Sequence, residues 1–356
     1  MADLFAAPAL VRFASSLLTA AGVETEKAQV TAQILVEGDL LGHTTHGLAL
    51  LPLYLQDLAE GRMASVGEPI TLHDTGSAVT WDGQRLPGPW LTTRAIALAS
   101  ERARLQGTGT VVIRRSHHIA CLAAYLKPVT DAGLMILLTC SDPNAAGVAP
   151  HGGLRDVYTP NPIAAGWPTE GDPVLLDVSQ SITTHGYTRR LHAEGRNLPG
   201  PWLIDAAGQP TADPAVMFAA ERGALLPVGG LDHGHKGFAL GLLVEALTGG
   251  LAGHGRADPK EGWTANVFVQ VLDPAKFGGA QAFARQTTWL SEACHASQPR
   301  PGFDRVRLPG ERGLRRREAQ LVNGIDLYPG ILNALRPWAQ RLAVAEPTPE
   351  VNPSTL

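Results

Sequence analysis

Cysteine is scarce in this chain. Three residues in 356, Cys121, Cys140 and Cys294, lie far apart and form no C-x-x-C pair. An odd, scattered set argues against a disulfide framework and for a reducing compartment. Long apolar runs are missing too. None approaches the ~18 residues a membrane helix needs, and the N-terminal apolar pattern carries Asp3 and Arg12 with no basic leader. The expected location is cytoplasmic, with no membrane partner. Charge of one sign is also missing: the formal net charge is −4, so nothing advertises nucleic acid or an anionic surface. The basic run Arg315-Arg316-Arg317 is bracketed by Glu311 and Glu318 and reads as a solvated face. There is no H-E-x-x-H, no Walker A loop and no internal repeat. Gly107-Thr108-Gly109 runs on into Thr110-Val111-Val112, so the G-x-G-x-x-G of a standard Rossmann site is absent.

What is present is ordinary for a protein with a real core: 44% hydrophobic and 17% charged residues. The length suits two domains or one large one. Apolar residues at helical spacing predict helices over 4–21, 25–42 and 48–60. Ile70-Thr71-Leu72 and Ala78-Val79-Thr80-Trp81 flank a turn and read as a hairpin. A helix over 90–106 closes at Gly107. Thr110–Ile113 and Leu134–Thr139 read as buried strands around a helix at 120–132, and strand–helix–strand order argues for an α/β fold. Further strands fall at Val174-Leu175-Leu176 and Val267–Val271, further helices over 238–251, 279–296 and 326–343. Residues 187–215 are polar and turn-rich, and 346–356 read as a disordered tail.

Chemistry concentrates in Gly42-His43-Thr44-Thr45-His46-Gly47, between two helical patterns. A neutral imidazole passes protons near neutral pH, and an adjacent hydroxyl orients it. His46 is thus the candidate acid/base and Thr45 its partner. The same residues suit helix caps, and that reading stands beside the first. His46 lies at a helix N-terminus, where the local field favours the neutral ring. His117 and His118 follow a buried strand, which would hold them rigidly. Asp177 ends another strand, either as a cap for Gln180-Ser181-Ile182 or as a charge partner for an imidazole. Gly229 to Gly237, with Lys236, precedes an apolar helix and reads as an anion loop. The pairs His43/His46, His117/His118 and His233/His235 match no known ligand spacing, so no metal is expected. The residues alone reach an α/β enzyme with a histidine site and an anion loop, and no particular reaction.

Six blocks in order carry a resemblance. They are Gly42-His43-Thr44-Thr45-His46-Gly47, Ser116-His117-His118, Asn161-Pro162-Ile163-Ala164, Leu176-Asp177-Val178-Ser179, Leu226-Pro227-Val228-Gly229-Gly230 leading to His235-Lys236-Gly237, and Leu308-Pro309-Gly310-Glu311. From about Leu4 to Leu342 the chain resembles the type 2 malate/L-lactate dehydrogenase family. That family also holds ureidoglycolate and sulfolactate dehydrogenases, diketogulonate reductase and cyclic imine carboxylate reductases. The resemblance implies an NAD(P)-dependent oxidoreductase, using NADPH or NADH on a small-molecule substrate. It implies a homodimer, an α/β fold with a non-Rossmann cofactor domain, and helical N- and C-terminal regions. Residues 1–113 with 299–345 would form the part carrying the histidine, and 114–298 the cofactor domain. His46 matches the proton donor, Thr45 its neighbouring serine, and Asp177 the carboxylate that completes the relay. An ionised Asp177 near the ring would keep His46 protonated at neutral pH. His118 and Asn161 match substrate-side positions. Pro173, Val174, Leu175, Leu176, Asp177, Val178 and Ser179 match cofactor-binding positions, as do His235, Lys236, Gly310, Glu311 and Arg312.

The sequence departs from the family at the substrate. An arginine normally stands four residues after the histidine to grip a carboxylate; here it is Leu50. Ile119 stands where an aromatic is usual, and Pro160 where a threonine is. Two expectations follow: an unusual ketone or cyclic imine as substrate, or a 2-oxo acid held by a relocated arginine, with Arg114 and Arg115 as candidates. A relative that binds ligand without catalysis is the third.

Overall fold

The computed structural model describes residues 3–260 and 262–349. The chain opens with β1 (Leu4–Phe5), α1 (Ala7–Ala20) and α2 (Thr25–Leu40); a 3-10 turn, Leu48–Leu50, leads into α3 (Leu51–Ala59). The hairpin β2 (Ile70–Asp74) and β3 (Ala78–Asp82) follows, then α4 (Gly88–Gln106) and β4 (Thr108–Ser116). A second 3-10 turn, Leu122–Tyr125, enters α5 (Leu126–Asp131), followed by β5 (Met135–Ser141), β6 (Ile163–Trp167) and β7 (Val174–Val178). Next come α6 (His185–Ala193), the short strands β8 (Leu203–Ile204), β9 (Pro210–Thr211) and β10 (Ala224–Leu225), and α7 (Gly230–Glu245). The chain ends through β11 (Ala265–Leu272), α8 (Ala280–Ala296), α9 (Glu311–Asn323), β12 (Ile325–Asp326) and α10 (Ile331–Arg341).

The apolar spacing explains the N-terminal helices. Leu10, Phe13, Ala14, Leu17 and Leu18 form one buried stripe on α1. They pack with Leu35 of α2, Leu51 and Tyr54 of α3, and Leu335 of α10 in one core. The N-terminal helices are thus closed by the C-terminal helix, and Phe5 of β1 pairs with Ile325 of β12.

A seven-stranded sheet runs β2-β3-β4-β11-β5-β6-β7. Only β3 and β4 are parallel; β11 is antiparallel to both β4 and β5. The two strands around residues 120–132 are therefore not neighbours, and the sheet is mixed. The reason lies in β11 itself: Ala265, Val267, Phe268, Val269 and Val271 are all buried, so it must be covered on both faces. Helix α4 ends at Gly107, whose φ of 90° is the left-handed cap that turns the chain directly into β4. A boundary at 113/114 falls inside β4, and β2 to β4 share their sheet with β5, β6, β7 and β11.

Two local expectations are corrected. The polar stretch 187–215 contains α6, capped by Thr184, whose hydroxyl accepts from Tyr187 N. The glycine-rich stretch is not a loop: from Gly230 on it is already α7, with a kink at His233. Its glycines serve packing. A Cβ on Gly237 would come within 2.5 Å of Val228 N, and one on Gly241 within 2.7 Å of the Tyr158 ring. Residues 346–349 carry no helix or strand, and 350–356 lie outside the described residues.

Candidate active site

The His43–Gly47 loop is held from below by α2. Asp39 is buried, and its Oδ2 accepts from Leu48 N at 2.7 Å, capping the 3-10 turn that follows His46. Gly47 must be glycine for this contact: a Cβ would lie 2.4 Å from the Asp39 carboxylate. Burial pushes the Asp39 carboxyl up to about 7, against the pull of the Leu48 amide and of Arg316 and Arg190.

Thr45 Oγ1 lies 2.9 Å from His46 Nδ1. If the ring proton is on Nδ1, the ring donates to Thr45 and leaves Nε2 as a base; if Thr45 donates, Nε2 carries the proton. The imidazole is driven down to about 4, chiefly by burial, with His43 and Arg190 adding like charge. The ring is therefore neutral at pH 7. This corrects the expectation of a ring kept protonated by Asp177. Among the described residues Asp177 makes no hydrogen bond to Thr45 or His46. Its Oδ2 accepts from Ala123 N at 2.8 Å, capping the turn at 122–125, and from the Cys121 thiol at 3.9 Å. It does not cap Gln180-Ser181-Ile182, because β7 continues through Val178 and the carboxylate meets the turn before α5; as a charge partner it faces His43 and not His46. Its nearest imidazole is His43; burial raises the Asp177 carboxyl, and His43 and the Ala123 amide oppose that.

His43, Cys121 and Asp177 place one ligand atom each within 4.8 Å of one another, the one such grouping among the described residues. Burial pushes the Cys121 thiol well up, and the Asp177 charge adds to this. That favours an S–H···O hydrogen bond over a thiolate. His46 is not in this group, and neither His117/His118 nor His233/His235 forms one.

His118 faces His46 with 6.0 Å between ring centroids and 29° between planes. Ala120 N donates to His118 Nδ1 at 3.1 Å, and Tyr54 Oη lies 2.9 Å from the same atom. Nδ1 is thus the acceptor, and the proton of the neutral ring sits on Nε2. Burial holds this ring well below its usual pKa. Trp263 stacks on it at 4.5 Å, so an aromatic comes from a distant part of the chain while Ile119 is buried in the core. His117 points the other way and binds Asp57 at 2.9 Å; Asp57 also binds Arg62. Sequence reasoning missed Tyr54, Asp39 and Trp263. Tyr54 sits eight residues after His46 on the apolar face of the helix predicted over 48–60, with nothing to set it apart from core; for Trp263 the sequence carries no signal.

The remaining positions divide. Leu50 packs against the helical core. Asn161 is fully buried and committed: its amide donates to Gly241 O (3.1 Å) and Glu245 Oε1 (2.8 Å), and its oxygen accepts from Thr159 (2.7 Å). These bonds anchor α7, since Gly241 and Glu245 both belong to it. Arg114 Nε and Arg115 NH1 both reach Asp82 Oδ2, at 2.9 and 3.2 Å. Pro173 to Ser179 span β7, the edge strand of the sheet. Leu175 N donates to Pro309 O at 3.1 Å, and Gly310, at φ 92°, passes where a Cβ would meet Leu175 Cβ at 2.8 Å. So β7 and the turn 310–312 form one surface. Glu311 opens α9 and accepts from His295 at 2.7 Å; Arg312 is exposed. His235 and Lys236 are exposed on α7, beside Gly237, which packs on Gln180 O.

The chain is a mixed-sheet α/β protein with a hydroxyl-linked histidine, His46 on Thr45, facing His118. The sequence profile of the malate/L-lactate dehydrogenase family matches residues 5–336. An L-lactate dehydrogenase of Cupriavidus necator is 34% identical over 344 residues, covering 95% of this chain and 97% of that protein. A Delta(1)-pyrroline-2-carboxylate/Delta(1)-piperideine-2-carboxylate reductase of Pseudomonas syringae pv. tomato is 31% identical over 348 residues, covering 93% and 95%. Among solved structures, malate dehydrogenase from Pyrococcus horikoshii aligns with a TM-score of 0.87 at 28% identity, covering 97% of this chain and 98% of that one. The chain belongs to the malate/L-lactate dehydrogenase family and is an oxidoreductase.

Proposed function

We propose that this enzyme reduces a C=O or C=N bond of a small organic substrate with NADPH or NADH, and that His46 carries the proton. The observation behind this reading is the paired arrangement of His46 on Thr45 with the His118 ring facing it. When bound, the nicotinamide supplies hydride to the electrophilic carbon. The surface of β7 with the first turn of α9 suits a dinucleotide. A helix start leaves amides unpaired, Arg312 adds a cation there, and Lys236 offers a second beyond Ser179. Thr45 orients the imidazole. His118, with its proton on Nε2, donates a hydrogen bond to the substrate, and Trp263 and Tyr54 hold it in place. His46 protonates the oxygen or nitrogen in reduction and takes the proton back in oxidation. Support for two copies pairing comes from α7 and α8: Leu240, Leu242 and Leu243 of α7 and Trp289 and Leu290 of α8 stand exposed, and α8 buries none of its residues.

The test is loss of nicotinamide absorbance with NADPH and NADH in parallel. The panel holds 2-oxo acids, cyclic imine carboxylates, and ketones and imines without a carboxylate. No turnover of any compound while cofactor still binds would leave a ligand-binding relative and overturn the reading. The pH profile adds a sharper check. In the oxidation direction, kcat/KM reports the base of the free enzyme. Its acid limb is expected near 4, since the imidazole takes its proton only there; an inflection at 6.5 would place His46 outside the reaction. The same depression affects stability. The unfolded chain binds this proton first, so the stability His46 allows is full above 6.5 and is lost as pH falls through about 4.

A further inference from the structure

Leu50 carries no charge, and Arg114 and Arg115, which shortly precede His118 in the sequence, are engaged with Asp82. A third arginine stands at the His46 loop. Arg190, in α6, donates from NH1 to Thr44 Oγ1 at 3.0 Å and from NH2 to Thr44 O at 3.3 Å. Its guanidinium lies 3.5 Å from the centre of the Tyr328 ring. One turn earlier in the same helix, Gly186 packs on Thr45, where a Cβ would meet Thr45 Cβ at 3.3 Å. Helix α6 is thus fastened to both residues that precede His46.

Arg190 is only half-buried, and among the described residues it has no carboxylate partner within ion-pair distance. Glu194, one turn on, is taken by Arg196 and by the Tyr328 hydroxyl. A guanidinium offers five N–H donors, of which the two bonds to Thr44 use two. The ring beneath and the loop beside it hold the fork in one orientation. Leu50 and Tyr328 both pack against the same helical core, which Arg190 reaches through the Tyr328 ring. Its charge is felt at the site, since it is one of the two that push the His46 ring down.

We propose that Arg190 determines substrate specificity by binding a carboxylate of the substrate, in the role an arginine at position 50 would have. This rests on the reductase reading above. It also links binding to proton supply. A carboxylate that neutralises Arg190 removes a like charge from His46 and adds an opposite one. The imidazole then takes a proton from solvent once substrate is bound, and becomes the donor that reduction requires.

The test compares a 2-oxo acid with its methyl ester and with a carboxylate-free ketone of similar size, in wild type, Arg190→Met and Arg190→Lys. Melting temperature and cofactor affinity are measured alongside. Arg190→Met is expected to raise KM for the acid about 100-fold, to leave KM for the neutral compounds within about threefold, and to regain activity on the acid with added guanidinium ion. Lysine keeps the charge and loses the planar fork, so a rise of about tenfold is expected. An arginine placed at 50 in the Arg190→Met background should restore the acid. Equal loss on acid and neutral compounds would make Arg190 a staple of the loop and overturn the proposal. So would an unchanged KM for the acid, or a wild type that turns over neutral compounds only. Wild-type turnover of nothing in the panel, with either cofactor, would instead overturn the reductase reading and this inference with it.

Discussion

Replacing His46 with glutamine is expected to lower kcat by about 10³-fold in both directions while leaving cofactor affinity within about twofold. Positioned proton transfer contributes on the order of 10²–10⁴-fold, and glutamine offers a similar polar length with no group that titrates near neutrality. The surrounding structure should survive, because among the described residues the His46 side chain hydrogen-bonds only to the neighbouring Thr45. Stopped-flow traces at single turnover would show hydride transfer slowed with no change in cofactor fluorescence on binding. A variant that keeps wild-type kcat would assign the proton to His118 or to solvent.

The second large effect is expected from Gly47→Ala, at a residue that performs no chemistry. The new methyl would sit 2.4–2.5 Å from all three heavy atoms of the Asp39 carboxylate, well inside contact distance. Either the carboxylate moves or the loop lifts. In both cases Leu48 N loses its buried acceptor, which costs about 1–3 kcal/mol before any strain is added. A total near 3 kcal/mol is the expected scale, read as a fall in melting temperature of roughly 5 °C or more. Activity should fall further than stability at temperatures where the variant is folded, since the displaced turn carries His46. A double-mutant cycle with Asp39→Ser isolates the contact. In the Asp39→Ser background alanine at 47 should cost under about 1 kcal/mol; the same cost in both backgrounds would show that the clash with Asp39 is not the cause.

How much of this was legible beforehand follows from the range of each interaction. The stripe of α1, the hairpin β2–β3 and the buried runs of β4, β5 and β11 are local patterns, and they stand where apolar period places them. His46 and Thr45 are adjacent in the chain, so their pairing was readable. The order of the sheet was not, because β11 enters between β4 and β5 from more than a hundred residues away. Asp177 shows the same limit at the scale of one side chain. Its strand was evident, but whether the carboxylate meets Thr45 or the amide of Ala123 depends on packing between distant segments. The glycines around Lys236 misled for another reason. Glycine marks a flexible loop and a close helix contact alike, and here Gly237 and Gly241 are closed by Val228 and Tyr158. Arg190 lay in a polar stretch with no apolar period to announce a helix, so nothing pointed it at Thr44.

The pairing of β1 with β12 has a consequence for how the protein is made. A ribosome releases α1, α2 and α3, with the His46 loop, long before β12 and α10 exist. At about 5–20 residues per second the wait is tens of seconds. Throughout that time Leu10, Leu17, Leu35 and Leu51 lack the cover that Ile325, Ile331 and Leu335 later supply. The sheet can assemble once β11 has emerged, whereas the helical layer around the histidine closes only when β12 and α10 have been made. The nascent chain therefore passes through a stage with its sheet formed, its His46 loop unsupported and a long apolar face uncovered, until β12 and α10 have emerged.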